Sequence, residues 1–151
     1  MSKDKADFYT VKRYLLSVYR IDTLTEHLQQ ELKHLEYMAE AIVKPLSDGG
    51  RGNLPGHPTE EIAIKISEKK ARLLDQLVNL ENQRDDIETY ILTAGLQPIF
   101  ERVLLKRYIE LKTWEKVARE MHYSQKYVEK LHGIALRLLA KKWRGRENET
   151  N

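Results

Sequence analysis

Gln125, Lys126, Glu129 and Lys130 crowd four long amide or charged side chains into two turns' worth of chain, directly after Ser124. Spaced one, three and one apart, they share one broad face if the segment is helical. Amide groups can pair with base edges, and ammonium groups with bases or phosphates, so this pattern suits contact with a nucleic acid in a major groove. Ser124 and Tyr127 fall on the same few turns and belong to the same candidate surface. The remaining chemistry is sparse: no Gly-rich phosphate loop, paired-carboxylate pocket or nucleophile beside a base can be made out, so no catalytic residue is assigned.

The elements that must position this face are legible around it. Thr113 caps a short helix whose inward residues are Val117, Ala118 and Met121. His122 and Tyr123 form a tight turn, where histidine tolerates the positive φ that many such turns give to glycine. Ser124 caps a second helix carrying Val128, Leu131, Ala135 and Leu138 at three- and four-residue spacing. The pair reads as a helix-turn-helix with the polar residues on the recognition helix. Ahead of it, Gly95 ends a helix and Pro98 opens another, in which Ile99, Val103, Leu104, Tyr108 and Leu111 make the buried side that supports the pair.

Charge concentrates on the same stretch. The chain of 151 residues has a net charge of +3. Residues 1 to 100 carry 13 Lys and Arg against 16 Asp and Glu, whereas residues 101 to 146 carry 13 against 5, a local excess of +8. Cations gathered in this way favour a phosphate backbone through counterion release. Lys112, Thr113, Arg137, Lys141, Lys142 and Arg144 are the candidates for backbone contacts. With no cysteine there is no disulfide framework or thiolate metal site, and no run of eighteen apolar residues suggests a membrane span. A cytoplasmic protein without cofactor is the simplest expectation.

Residues 8 to 44 repeat Tyr14, Val18, Ile21, Thr25, Leu28, Leu32, Leu35, Ala39 and Ile42 at alternating four- and three-residue steps, the seam of a coiled coil. Such a helix reaches roughly 55 Å and needs a long partner. Residues 45 to 58 contain three of the four prolines and four of the seven glycines, which predicts a flexible connection. Thr59 caps a second long helix with Ile62, Ile66, Leu73, Leu77, Leu80, Ile87 and Ile91 on its apolar side, interrupted by Lys70 and Arg84. The expected fold is all-α: a long antiparallel, coiled-coil-like hairpin over residues 1–97, a three-helix domain over 98–143, and a disordered tail over 144–151. Residues 1–6 are also expected to lack order. The hairpin is the economical arrangement, although the same heptads could instead pair chains into a homo-oligomer.

The segment LLKRYIELKTWEKVAREMHYSQKYVEKLHGIALRLL, residues 104–139, resembles region 4 of bacterial sigma factors, the reader of the −35 promoter element. The likeness rests on Arg107 and Tyr108, on Trp114 to Ala118, on Ser124, and on Ala135 to Leu139. The order of long helices, RYI, YS and LHGIAL is similar to small proteins of phages and prophages of Gram-positive bacteria, akin to the ArpU and RinA regulators of late genes. That resemblance implies a transcription regulator that binds double-stranded DNA, with Gln125, Lys126, Glu129 and Lys130 at the base-contacting positions and host RNA polymerase as a further partner. Residues 1 to 97 offer heptads where a sigma factor would need its promoter-melting surface, so a sigma factor proper is not implied. A phage terminase small subunit and a coiled-coil interaction protein without DNA binding are the rival readings.

Other residues have plainer roles. His27, Glu31 and His34 share a face of the first helix, but on a charged helix they read as its solvated side, not as metal ligands. His132 is expected to steady the helix or touch phosphate. Trp114 and Trp143 could stack on bases, although Trp114, just past a cap, is better placed to pack between helices.

Overall fold

The computed structural model describes residues 3–47 and 56–149, with side chains over 3–42 and 60–143. Within these residues the chain is all-helical, with no strand. Helix α1 spans Lys3–Ser47, α2 Gly56–Leu92, α3 Pro98–Leu104, α4 Trp114–Met121 and α5 Gln125–Glu149; a π-helical turn, Leu105–Ile109, prolongs α3. No described helix is long and apolar enough to cross a membrane.

Four helix ends run further than their local sequence suggests. α1 starts at Lys3, five residues before Phe8, because Asp7 and Val11 are both buried and tether the first turns. At its other end α1 passes through Pro45 to Ser47; a proline in the final turn forfeits one intrahelical hydrogen bond and leaves the rest intact. α2 begins at Gly56, ahead of the expected cap Thr59, with Pro58 among the opening residues whose N–H groups have no helical acceptor. Of the flexible connection expected over residues 45–58, both flanks are therefore helical, and residues 48–55 lie outside the described residues. α5 continues to Glu149 instead of fraying at Arg144, anchored by Trp143 against Tyr14 and Tyr90, each 5.6 Å away between ring centroids.

The chain forms two compact units, Met1–Ile21 with Gln83–Asn151, and Asp22–Asn82. The first unit thus recruits the outer ends of both long helices, so it does not coincide with a division at residue 97. Val11, Leu15 and Val18 of α1 and Ile87 and Ile91 of α2 are buried in it together with Leu136 and Leu139 of α5. A second cluster joins Val103, Val117, Ala118, Met121, Val128 and Leu131, with Ile99, Phe100 and Trp114 packed on it. The apolar faces read from α3, α4 and the start of α5 thus converge, although Leu136, Leu139 and Ala140 are buried where Leu138 is only partly so.

In the second unit Leu35 packs with Ile66 and Leu73, flanked by Leu28, Leu32, Ala39 and Ile42. The heptad faces of α1 and α2 meet there within one chain. Lys70, one of the interruptions in the α2 face, pairs with Glu36 at 3.6 Å. Ile62 is exposed, as are Ile64, Leu74 and Val78 on other sides of α2.

Candidate nucleic-acid interface

α4 and α5 are joined by three residues whose geometry is set locally. Thr113 Oγ1 accepts from the Lys116 backbone N–H at 3.2 Å and opens α4. His122 closes it in the left-handed conformation at φ 61°. The Tyr123 N–H reaches the Ala118 carbonyl at 3.0 Å and the His122 N–H reaches Arg119 at 3.3 Å, the paired bonds that satisfy carbonyls at a left-handed helix end. Ser124 Oγ then accepts from the Tyr127 N–H at 3.1 Å and starts α5. Caps of this kind contribute about 1 kcal/mol each and define where the first turn of α5 begins.

That first turn presents its polar residues to solvent. Gln125, Lys126, Tyr127, Glu129 and Lys130 are all exposed, as is Ser124. Gln125 donates to Glu129 at 3.4 Å, and the Tyr123 and Tyr127 rings meet edge to face at 4.9 Å. Lys126 and Lys130 have no ion pair or hydrogen bond with any described residue. On the opposite side of the same turns, Val128 and Leu131 are buried in the α3–α4–α5 cluster. The helix is therefore held from behind while its cations stay available.

The expected backbone contacts divide by what holds them. Arg137 and Lys141 are exposed, with no ion pair to a described residue. Lys112 is engaged: its ammonium lies 2.6 Å from Glu120 and 3.0 Å from Glu110. The Glu120 and Glu110 hydrogen bonds raise the Lys112 pKa, and the Lys112 bond, ahead of that from Lys106, lowers that of Glu120. Lys142 donates to the Ala94 carbonyl at the end of α2. Both lysines tie elements of the fold together, and a phosphate would have to compete with those partners. The Arg144 side chain lies outside the described residues.

Beneath this surface lies a linked aromatic cluster. Trp114 packs between the Arg107 guanidinium, 4.5 Å from its ring centroid, and His132 at 4.6 Å. His132 Nε2 is 2.5 Å from the Tyr108 hydroxyl. Burial, then the Lys12 and Arg107 cations, pulls the His132 pKa down to about 4, while burial drives the Tyr108 hydroxyl well above its ordinary value. The phenol and a neutral imidazole thus share a hydrogen bond, and His132 is a packing residue. Trp143 is likewise occupied within the fold by Tyr14 and Tyr90. His27, in the other unit, lies 3.6 Å from Glu31 on an exposed face.

The π-helical turn holds the cluster in place. Its i+5 bond, Glu110 N–H to Leu105 carbonyl at 2.9 Å, displaces the usual acceptors, and side chains take up the freed carbonyls. Tyr19 donates to Arg107 at 3.0 Å and Arg84 to Ile109 at 2.8 Å. Leu111 follows at φ 56°, a conformation costly for leucine, and Arg107 donates to the Lys112 carbonyl across it at 3.0 Å.

Two features of the surface have no counterpart in the sequence reading. Lys12 of α1 lines, with Arg107, Trp114, Glu129 and His132, an open cleft of about 240 Å³ beside the exposed face of α5; nothing in the local spacing links residue 12 to α5. Gly133 sits in mid-helix, where glycine costs about 1 kcal/mol relative to alanine.

No family model matches the chain, and no curated protein or solved structure matches it.

Proposed function

We propose that the protein is a sequence-specific double-stranded DNA-binding regulator of phage late-gene transcription, acting in the cytoplasm of its bacterial host through α4 and α5 used as a sigma region-4-like helix-turn-helix. The observation that carries the proposal is the start of α5: capped by Ser124 and packed from behind by Val128 and Leu131, it leaves Lys126 and Lys130 exposed and unpaired among the described residues. A rigid helix end bearing free cations beside an exposed amide is the form in which recognition helices meet base edges and phosphates. The net excess of +8 over residues 101 to 146 supports the same partner. Gln125, Lys126, Tyr127, Glu129 and Lys130 are assigned to base readout, and Arg137 and Lys141 to the phosphate backbone. RNA polymerase of the host is the second partner in this reading.

A terminase small subunit is the second reading, favoured by Ile64, Leu74 and Val78, which α2 leaves exposed as an assembly surface would. Light scattering separates the two: a monomer or dimer fits the regulator and a large ring fits the terminase subunit. The direct test is selection of bound sequences from random DNA. Lys126→Ala and Lys130→Ala are each expected to weaken binding to the selected site by about tenfold with an unchanged circular dichroism spectrum. Equal affinities of wild type and both variants would remove α5 as the recognition surface. Absence of any binding at low salt would leave a coiled-coil interaction protein as the reading.

A further inference from the structure

Lys126, Lys130, Arg137 and Lys141 follow one another at steps of four, seven and four along α5. At 100° per residue all four fall within a narrow arc, opposite Val128, Leu131, Ala135 and Leu139 of the core, and all four are exposed. The stripe is roughly 22 Å long, whereas a B-DNA major groove is roughly 12 Å wide. A helix whose first turns enter the groove therefore carries the later cations across the strand at its edge.

Gly133 lies at the edge of this stripe, partly covered, one turn after Glu129 and Lys130 and one turn before Arg137. Among the described residues nothing asks for glycine there. Its φ is not in the left-handed region, which among the described glycines is occupied by Gly95 alone. A Cβ added at Gly133 would meet only the Arg137 Nη2, at 3.5 Å, an ordinary contact. A helix-interior glycine with room for a methyl group and no backbone need for its freedom is best explained by a partner that approaches the helix surface closely. The cations on either side specify a polyanionic partner.

We propose that Gly133 is the crossing point of a DNA phosphate strand over α5, the missing side chain letting the backbone approach while Lys130 and Arg137 close on it from the two sides. The proposal rests on the DNA-binding reading above and adds the docking register: Lys126 and Lys130 toward the groove, Arg137 and Lys141 on the strand beyond it. Glu129 borders the stripe on the groove side, where Gln125 already donates to it.

Gly133→Ala tests it because stability and binding should move in opposite directions. The variant is expected to melt a few degrees higher than wild type, since alanine is the better helix former. Its affinity for the selected DNA site should fall by about tenfold, and that of Gly133→Leu further. Arg137→Ala and Lys141→Ala should each reduce the slope of log affinity against log salt by about one. If the wild type binds the site and Gly133→Ala binds equally well, the crossing point is elsewhere and the proposal is overturned. The same holds if DNA affinity is unchanged and the oligomeric mass shifts, which would assign Gly133 to a contact between copies. If the wild type binds no DNA at low salt, the failure belongs to the functional reading and is recognised by that control.

Discussion

The two compact units are both helical, yet they are stabilised differently. In the unit of Met1–Ile21 and Gln83–Asn151, five helical segments and a π-helical turn contribute buried residues to the core. Side chains such as Arg84, Tyr19 and Tyr90 donate to backbone carbonyls of other helical segments there. In the unit of Asp22–Asn82 two helices meet along one stripe; Leu35, Ile66 and Leu73 are its buried cluster, while Leu24, Ile64, Leu74 and Val78 stay exposed. Two helices can enclose only a seam, whereas three or more enclose a core. The dense unit can thus hold a polar surface in fixed geometry, and the sparse one leaves apolar surface for another contact.

The largest effect should follow from emptying the dense core. Leu131→Ala is expected to cost about 3–4 kcal/mol, because Leu131 is 4% exposed and its neighbours come from three helices. Leu73→Ala, with solvent near its seam, should cost only about 2 kcal/mol. Chemical denaturation of both variants checks the contrast; equal losses would erase the distinction between core and seam.

The pH dependence of stability should come next. His132 is held at about 4 in the folded unit against about 6.5 when unfolded. The unfolded chain therefore binds more protons between these values, so stability falls as pH drops from about 6.5 to about 4, by on the order of 2–3 kcal/mol. Denaturation midpoints measured across that range should flatten in His132→Gln. A wild-type profile already flat there would mean that the imidazole is not held neutral against Tyr108.

The smallest effect is expected at Lys70, paired with Glu36 at 3.6 Å with both side chains about half in solvent. Lys70→Ala should shift stability by no more than about 0.5 kcal/mol. A loss comparable to that of Leu73→Ala would show that the seam depends on its ion pair and not on its leucines.

Much of the local architecture was legible in the chain itself. Thr113 and Ser124 as caps, the left-handed turn at His122, Gly95 at a helix end and Pro98 at a helix start depend on neighbours within a few residues, and the structure has them all. The heptad positions of α1 are all at least partly covered, because a strict four-three repeat forces them onto one face. What local pattern could not reach is contact between residues distant in sequence. Lys112 and Lys142 read as free cations and are engaged by Glu120 and Ala94. Trp143 read as a possible base stacker and is fixed between Tyr14 and Tyr90.

The sequence by itself determined where helices begin and end around α4, which faces are apolar, and where basic charge accumulates, since capping, periodicity and charge are properties of short windows. Only the tertiary structure decided which cations remain available among the described residues, that the first turns of α1 belong with the C-terminal helices, and that a Cβ at Gly133 would meet no described atom closer than the Arg137 guanidinium. Those facts depend on what the folded chain brings within a few ångströms, and such proximity leaves no spacing in the sequence.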